Sequence, residues 1–169
     1  MLTRLAEGFT ARMADYAAAL TLGVEIDAWY AGMKWEIIRS NATAAIAGKG
    51  GFLRMTLQDW GRVVEQVRSE FDYLAQFAQD VADGKLSPAQ IAARASLYSQ
   101  HAQVSYWQAN VSAKRQAGFT QERRVLGQAE HCPDCVGYAA EGWVPIGSLP
   151  APGDGSVCRA NCQCTKEYR

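Results

Sequence analysis

Thr56-Leu57-Gln58-Asp59-Trp60-Gly61-Arg62-Val63-Val64-Glu65-Gln66-Val67 reads as the opening of a long amphipathic helix, and the rest of the chain is arranged around it. Thr56 is of the type that caps a helix start by accepting a backbone N–H, and Asp59, three positions on, supplies the reciprocal half of a capping box. Leu57, Trp60, Val63, Val64, Val67, Phe71, Leu74, Ala78 and Val81 then recur at three- and four-residue steps. Gln58, Arg62, Glu65, Arg68, Glu70 and Gln79 fall on the opposite face. Gly84 is placed to close the helix, which spans roughly 40 Å at about 1.5 Å per residue.

Downstream, Ser87-Pro88-Ala89-Gln90 marks a second start, with Ser87 as cap, Pro88 at the first helical position and Gln90 completing the box. Ile91, Ala95, Tyr98, Ala102, Tyr106 and Ala109 line one face of a single helix whose alanines predict close approach by a neighbour. The short Asp83-Gly84-Lys85-Leu86 link requires these two helices to lie antiparallel. Upstream, Ile26, Trp29, Tyr30, Met33 and Ile37 carry the same period, with Gly23 separating this helix from a shorter one before it. The run Ala44-Ala45-Ile46-Ala47 is expected to end at Gly48, and Gly50-Gly51 to form a turn or hinge.

Past Gly118 the helical period stops and Gly, Pro and Cys become frequent, which divides the chain into a helical body, 1–118, and a cysteine-rich module, 119–169. Arg123–Leu126, Trp143–Ile146 and Cys162–Tyr168 read as short strands, and Leu149–Gly155 as turn. The expected class is mainly α: antiparallel long helices followed by a small zinc-stapled β/loop module.

All five cysteines lie in this tail, as Cys132-Pro133-Asp134-Cys135 and Cys158-Arg159-Ala160-Asn161-Cys162-Gln163-Cys164. Two thiol clusters separated by a loop suit a tetrahedral zinc, which takes four of Cys132, Cys135, Cys158, Cys162 and Cys164. Cys132, Cys135, Cys158 and Cys162 are the preferred set and Cys164 the substitute; the competing reading is free thiols or disulfides. In an extended strand Cys162 and Cys164 share a face. His131 is a further ligand, a hydrogen-bond partner of a cysteine sulfur, or a partly exposed loop histidine. An odd cysteine count and the absence of an apolar leader run, broken by Glu7, Arg12 and Asp15, point to a reducing cytosol.

Composition narrows the function. With 17 basic and 17 acidic residues the chain carries no net charge, which argues against general DNA affinity and suits an assembly. No apolar run reaches the roughly 18 residues of a membrane span. Two histidines leave little for a hydrolytic triad, and Gly48-Lys49-Gly50-Gly51 lacks the spacing of a phosphate loop. Lys114, Arg115, Arg123 and Arg124 form a basic cluster that either meets phosphates or is a solvated connector. Trp29 and Trp60 fall on core faces, whereas Trp35 and Trp107 lie off the stripes as partner anchors or packing residues.

The tail, from His131-Cys-Pro-Asp-Cys135 through Gly142-Trp143-Val-Pro-Ile-Gly147-Ser-Leu-Pro150-Ala-Pro-Gly153 to Cys158-Arg-Ala-Asn-Cys162-Gln-Cys164, resembles that of phage minor head proteins, the head-morphogenesis proteins related to the Mu F-like group. That group's tail reads C-x-x-C, a spacer, then H-P-N-C-R-C. Asn161-Cys162-Gln163-Cys164 matches its end, and Cys158 stands one residue further out than the family histidine. Met55–Trp60, Phe77-Ala78, Leu86–Pro88, Ala93-Arg94 and Tyr98 are also similar, so the resemblance covers about two-thirds of the chain and leaves out residues 1–50. It implies a low-copy structural virion protein of the head or connector, assembled in the host cytoplasm, contacting portal or major capsid protein in head assembly and catalysing nothing. The alternative is a nucleic-acid-binding zinc module used in genome packaging.

Overall fold

In the computed structural model, residues 25–128 and 130–169 are described, together with residues 7, 8, 10–12, 14, 15 and 18; Gly23 lies outside the described residues. Helix α1 (Ile26–Lys49) leads through a 3-10 turn (Phe52–Arg54) into α2 (Leu57–Ala82), then α3 (Pro88–His101) and α4 (Gln103–Gln116). Both capping boxes form as their sequences dictate: Thr56 with Asp59, and Ser87 with Gln90. Each satisfies two backbone donors that a helix start leaves open.

Contacts between α1 and α2 run in opposite order along the two helices: Trp29 meets Phe77, Asn41 meets Glu70, and Lys49 meets Asp59. The same is true of α2 and α3, where Phe77 stacks on Tyr98 and Asp80 pairs with Arg94. The long helices are therefore antiparallel, as expected. Helix α4 lies beside α1 and runs parallel to it, with Ser105 against Asn41 and Ser112 against Lys49. The core holds Trp29, Met33 and Ile37 from α1, Val63, Val67, Leu74 and Phe77 from α2, and Ile91, Ala95 and Tyr98 from α3.

A buried polar network crosses this core. The Asn41 amide donates to the Glu70 carboxylate at 3.1 Å and its oxygen accepts from the Ser105 hydroxyl at 2.6 Å. Gln66 donates to the same carboxylate at 3.0 Å, and His101 lies 3.5 Å from it. Polar groups taken out of water need such partners, and these fix the register of α1, α2 and α4 together. His101 is part of this network, its Nδ1 also 3.2 Å from the Gln66 amide nitrogen.

Three expectations are corrected. The helix expected over 87–109 breaks at Ala102 (φ −58°, ψ −17°) into α3 and α4, so that Val104 and Trp107 are buried while Tyr106 is only half-buried. Gly48 does not end α1, which continues to Lys49; a Cβ at Gly48 would collide with the Tyr106 carbonyl, so the glycine permits the α1–α4 approach. Leu57 and Val64 do not join the core: Leu57 is 91% exposed at the first turn of α2, and Val64 is exposed on its outer face.

The chain passes from helices to tail at Ala117–Thr120. A three-stranded antiparallel sheet follows, ordered β2-β1-β3, with β1 Gln121–Val125, β2 Val144–Pro145 and β3 Thr165–Tyr168. The protein is thus mainly helical, with a small sheet and a cysteine cluster at the C-terminal end. Glu122 of β1 pairs with Tyr168 in register, and its buried carboxylate holds the Lys166 ammonium at 3.1 Å and the Leu149 N–H at 2.9 Å. Burial lowers the Lys166 pKa, and Glu122 opposes that shift.

The tail folds back on the helices. Trp107 and Val104 pack against Ala151, Gln103 donates to the Ala160 carbonyl at 3.2 Å, and Arg115 to the Ile146 carbonyl at 2.7 Å. Trp107 is thus covered by this chain's own tail, whereas Trp35 is 60% exposed.

Candidate metal centre

Cys132-Pro133-Asp134-Cys135 forms the start of a further helix, α5 (Pro133–Ala140), with Cys132 at the N-cap and Pro133 in the first turn. Proline there gives up an N–H that would find no helical partner. Two bonds tie this helix to the loop that carries Cys158: the Asp134 carboxylate accepts from the Val157 N–H at 2.8 Å, and the Tyr138 hydroxyl donates to the Gly155 carbonyl at 2.7 Å. A 3-10 turn, Arg159–Asn161, then swings the chain so that Cys162 follows it, and Cys164 stands just before β3. These joints bring Cys158, Cys162 and Cys164, about 25–30 residues further along the chain, to within 4.8 Å of Cys135.

All five cysteines fall into two triads that share Cys135. Cys132, Cys135 and Cys158 have sulfurs within 4.8 Å of one another, as do Cys135, Cys162 and Cys164. Cys135 belongs to both triads, with its Sγ 3.6 Å from Cys158 Sγ and 3.8 Å from Cys162 Sγ. Four sulfurs bound tetrahedrally at about 2.3 Å stand about 3.8 Å apart, and each of these two spacings from Cys135 matches such an edge. The donor set is sulfur throughout, which suits a soft or borderline cation rather than calcium or magnesium. Cys135, Cys162 and Cys164 are buried and Cys132 and Cys158 partly so, with Leu126 packed against them. The cluster can therefore hold a metal ion.

Backbone amides are aimed at several of the sulfurs, which favours the thiolate a metal requires. N–H donation from Cys135, with a further donation from Cys158, brings Cys132 down to about 7. At Cys162 burial acts upward, but the Cys164 N–H and the neighbouring thiols outweigh it and the pKa falls. Burial pushes Cys135, Cys158 and Cys164 up, consistent with thiols that ionise only when a cation is there to compensate.

His131 stands as a hydrogen-bond partner of a cysteine sulfur. Its Nδ1 lies 3.9 Å from the Cys164 sulfur and its Nε2 3.0 Å from the Gly127 carbonyl. With the proton on Nε2 the ring donates to Gly127 and turns its other nitrogen to the cysteine. Gly127 in turn lies so close to Gln163 that a Cβ would collide with that residue's carbonyl.

The basic cluster is not a free patch. Arg123 pairs with Glu167 and lies over the Trp143 ring. Arg124 is 3% exposed and donates to the Pro150 carbonyl at 2.7 Å. Arg115 holds Ile146, and Lys114 sits over Phe119. A separate cleft of about 330 Å³ lies between α2, α4 and the 147–151 segment, lined in part by Arg62, Glu65, Gln108 and Lys166, with neither histidine nor cysteine in its walls.

Asp134, Tyr138 and Gly127 are the supporting residues that sequence reasoning passed over. The Pro133-Asp134 pair did carry a signal, since proline followed by an acid is a common helix opening. No protein-family model, curated protein or solved structure matches this chain.

Proposed function

We propose that this chain is a structural component of a tailed-phage head, a minor head protein at the portal or inner capsid, whose tail is stapled by one zinc ion. The observation that carries the reading is the gathering of all five cysteines into two triads that share Cys135, in a tail that carries the minor-head sequence pattern. Zinc is the cation that four-thiolate sites of this spacing take, and such a site has no open position for a substrate water. The ion is therefore a fastener, and the chain acts through protein contacts rather than catalysis.

The remaining surface supports this. Trp35 and Ile38 are exposed on α1, where aromatic and aliphatic side chains favour a partner such as portal or major capsid protein. Arg123 and Arg124 are engaged within the chain, which weakens the case for that pair as a nucleic-acid contact in a packaging module.

Two measurements test the proposal. Protein purified under reducing conditions should carry one zinc by elemental analysis, and the Cys135→Ser protein none. In heads assembled with portal and capsid proteins, the chain should be present by quantitative mass spectrometry, with the Cys135→Ser form depleted. Metal-free wild-type protein removes the staple, and heads without the chain remove the virion role.

A further inference from the structure

Among the described residues of the tail, one buried cation lacks a counter-charge. Strand β1 turns Glu122 and Arg124 to the same buried face, and Leu126, two residues on, packs against the thiol cluster. Across the sheet Arg124 stands opposite Lys166, so two cations meet where like charges repel. Glu122 answers only one of them: both its oxygens lie 3.1 Å from the Lys166 ammonium. Arg124, 3% exposed, donates from Nη2 to the Pro150 carbonyl at 2.7 Å, and its buried Nε and Nη1 have no hydrogen-bond partner among the described residues. That carbonyl is neutral and Glu122 is taken, so the charge of Arg124 is left unanswered.

The thiols adjoin it. Cys164 precedes Lys166 by two residues and is buried like it, which places this thiol diagonally across the sheet from Arg124, within the span that long side chains bridge. From α5, the ring of Tyr138 lies 5.4 Å from the guanidinium, and Tyr138 is one turn after Cys135 on the same helix face. A divalent ion in four thiolates carries an excess of negative charge, which is costly to bury without a cation nearby. The two imbalances are neighbours and opposite in sign.

Resting on the reading of this cluster as a metal centre, we infer that Arg124 is the counter-charge of the metal–thiolate group, whichever four thiols ligate. It touches no ion. It stabilises the sulfurs in their ionised, metal-bound form through the field of its guanidinium.

Zinc affinity of the full-length protein, measured by competition with a chromophoric chelator, tests this, together with the sulfur-to-metal charge-transfer band of the cobalt(II) form. Arg124→Met keeps the apolar stem and removes the charge, whereas Arg124→Lys keeps the charge. The methionine variant should bind zinc about 10–100-fold more weakly than wild type. Its cobalt band should move to lower energy, because the sulfur lone pairs lose a stabilising cation. The lysine variant should recover most of the affinity and return the band towards its wild-type position. Equal affinities of wild type and Arg124→Met, equal losses in the two variants, or weakened binding with an unmoved band each overturn the inference and leave the zinc staple standing. If Arg124→Met takes up no metal, Arg124→Lys decides: metal bound with the wild-type band supports the counter-charge, and an empty site overturns it. Metal-free wild type removes the staple itself along with the inference.

Discussion

Replacing Asp59 by Asn should be the most costly single-atom change in the helical body, and its cost should depend on pH. The Asp59 carboxylate is buried against the Lys49 ammonium at 2.7 Å, and Lys49 also donates to Ser112 on α4 at 2.7 Å. The pair therefore joins the end of α1, the start of α2 and the flank of α4. Burial alone would raise the Asp59 pKa; Lys49, both donors of Thr56 and Ser112 bring it from 3.8 down to about 2. At about 1.4 kcal/mol per pH unit, that depression is worth about 2–3 kcal/mol. A carboxylate with a depressed folded pKa contributes fully above its unfolded value and loses the contribution as pH falls through its folded one. The window is therefore from about pH 4 down to about pH 2.

Asparagine keeps an oxygen for the Thr56 N–H, so the capping box can persist while the charge is removed. Lys49 is then left buried without a counter-charge, a situation that costs about 3–5 kcal/mol. Urea denaturation followed by far-ultraviolet circular dichroism, at neutral pH and at steps down to about pH 2, measures both effects. The gap between wild type and Asp59→Asn should be about 3–5 kcal/mol at neutral pH and shrink by about 2–3 kcal/mol in acid. Thiols in the tail also protonate on acidification, but in both proteins alike. A gap under about 1 kcal/mol at neutral pH, or one that does not change with pH, refutes the assignment of the pair as a buried, charge-dependent joint.

Stripping metal with a chelator should open the tail and leave the helices folded, because the tail's own buried cluster is made of the thiols themselves with Leu126 against them; limited proteolysis should then cut between β1 and β3 while the helical signal persists. Zinc binding of this kind supplies on the order of 10 kcal/mol, so the difference should be all-or-none. Gly48→Ala gains helix propensity but drives a methyl into the Tyr106 carbonyl, and should lower stability by about 1–3 kcal/mol in thermal or urea unfolding. Trp35→Ser should change stability by less than about 0.5 kcal/mol, yet reduce incorporation into assembled heads, as quantified by mass spectrometry.

What was legible in the sequence was local. Thr56 with Asp59 and Ser87 with Gln90 define their helix starts from residues three apart, and both boxes form. The thiol cluster was legible because its residue type is rare and serves few ends. What was illegible depended on partners far along the chain. Gly48 looks like a helix terminator until Tyr106 lies against it. The break at Ala102 has no proline or glycine to announce it; it accompanies the burial of Trp107 against Ala151, a contact formed only when the tail returns. Arg123 and Arg124 read as a basic patch because Glu167 and the Pro150 carbonyl cannot be assigned to them from spacing. Helix α5 was missed because eight residues with an internal glycine give too short a period to count.

The order of the sheet sets the order of events at the ribosome. Strand β1 is the middle strand, yet both of its partners lie downstream, β2 at Val144–Pro145 and β3 at Thr165–Tyr168. Its Glu122 carboxylate waits for Lys166 across an interval of about forty residues, during which it remains hydrated. Nascent chain that has emerged only as far as the first two cysteines can neither complete the sheet nor enclose a cation. Completion of both the sheet and the second thiol triad thus waits on residues 162–168, which follow all of the helices in the chain.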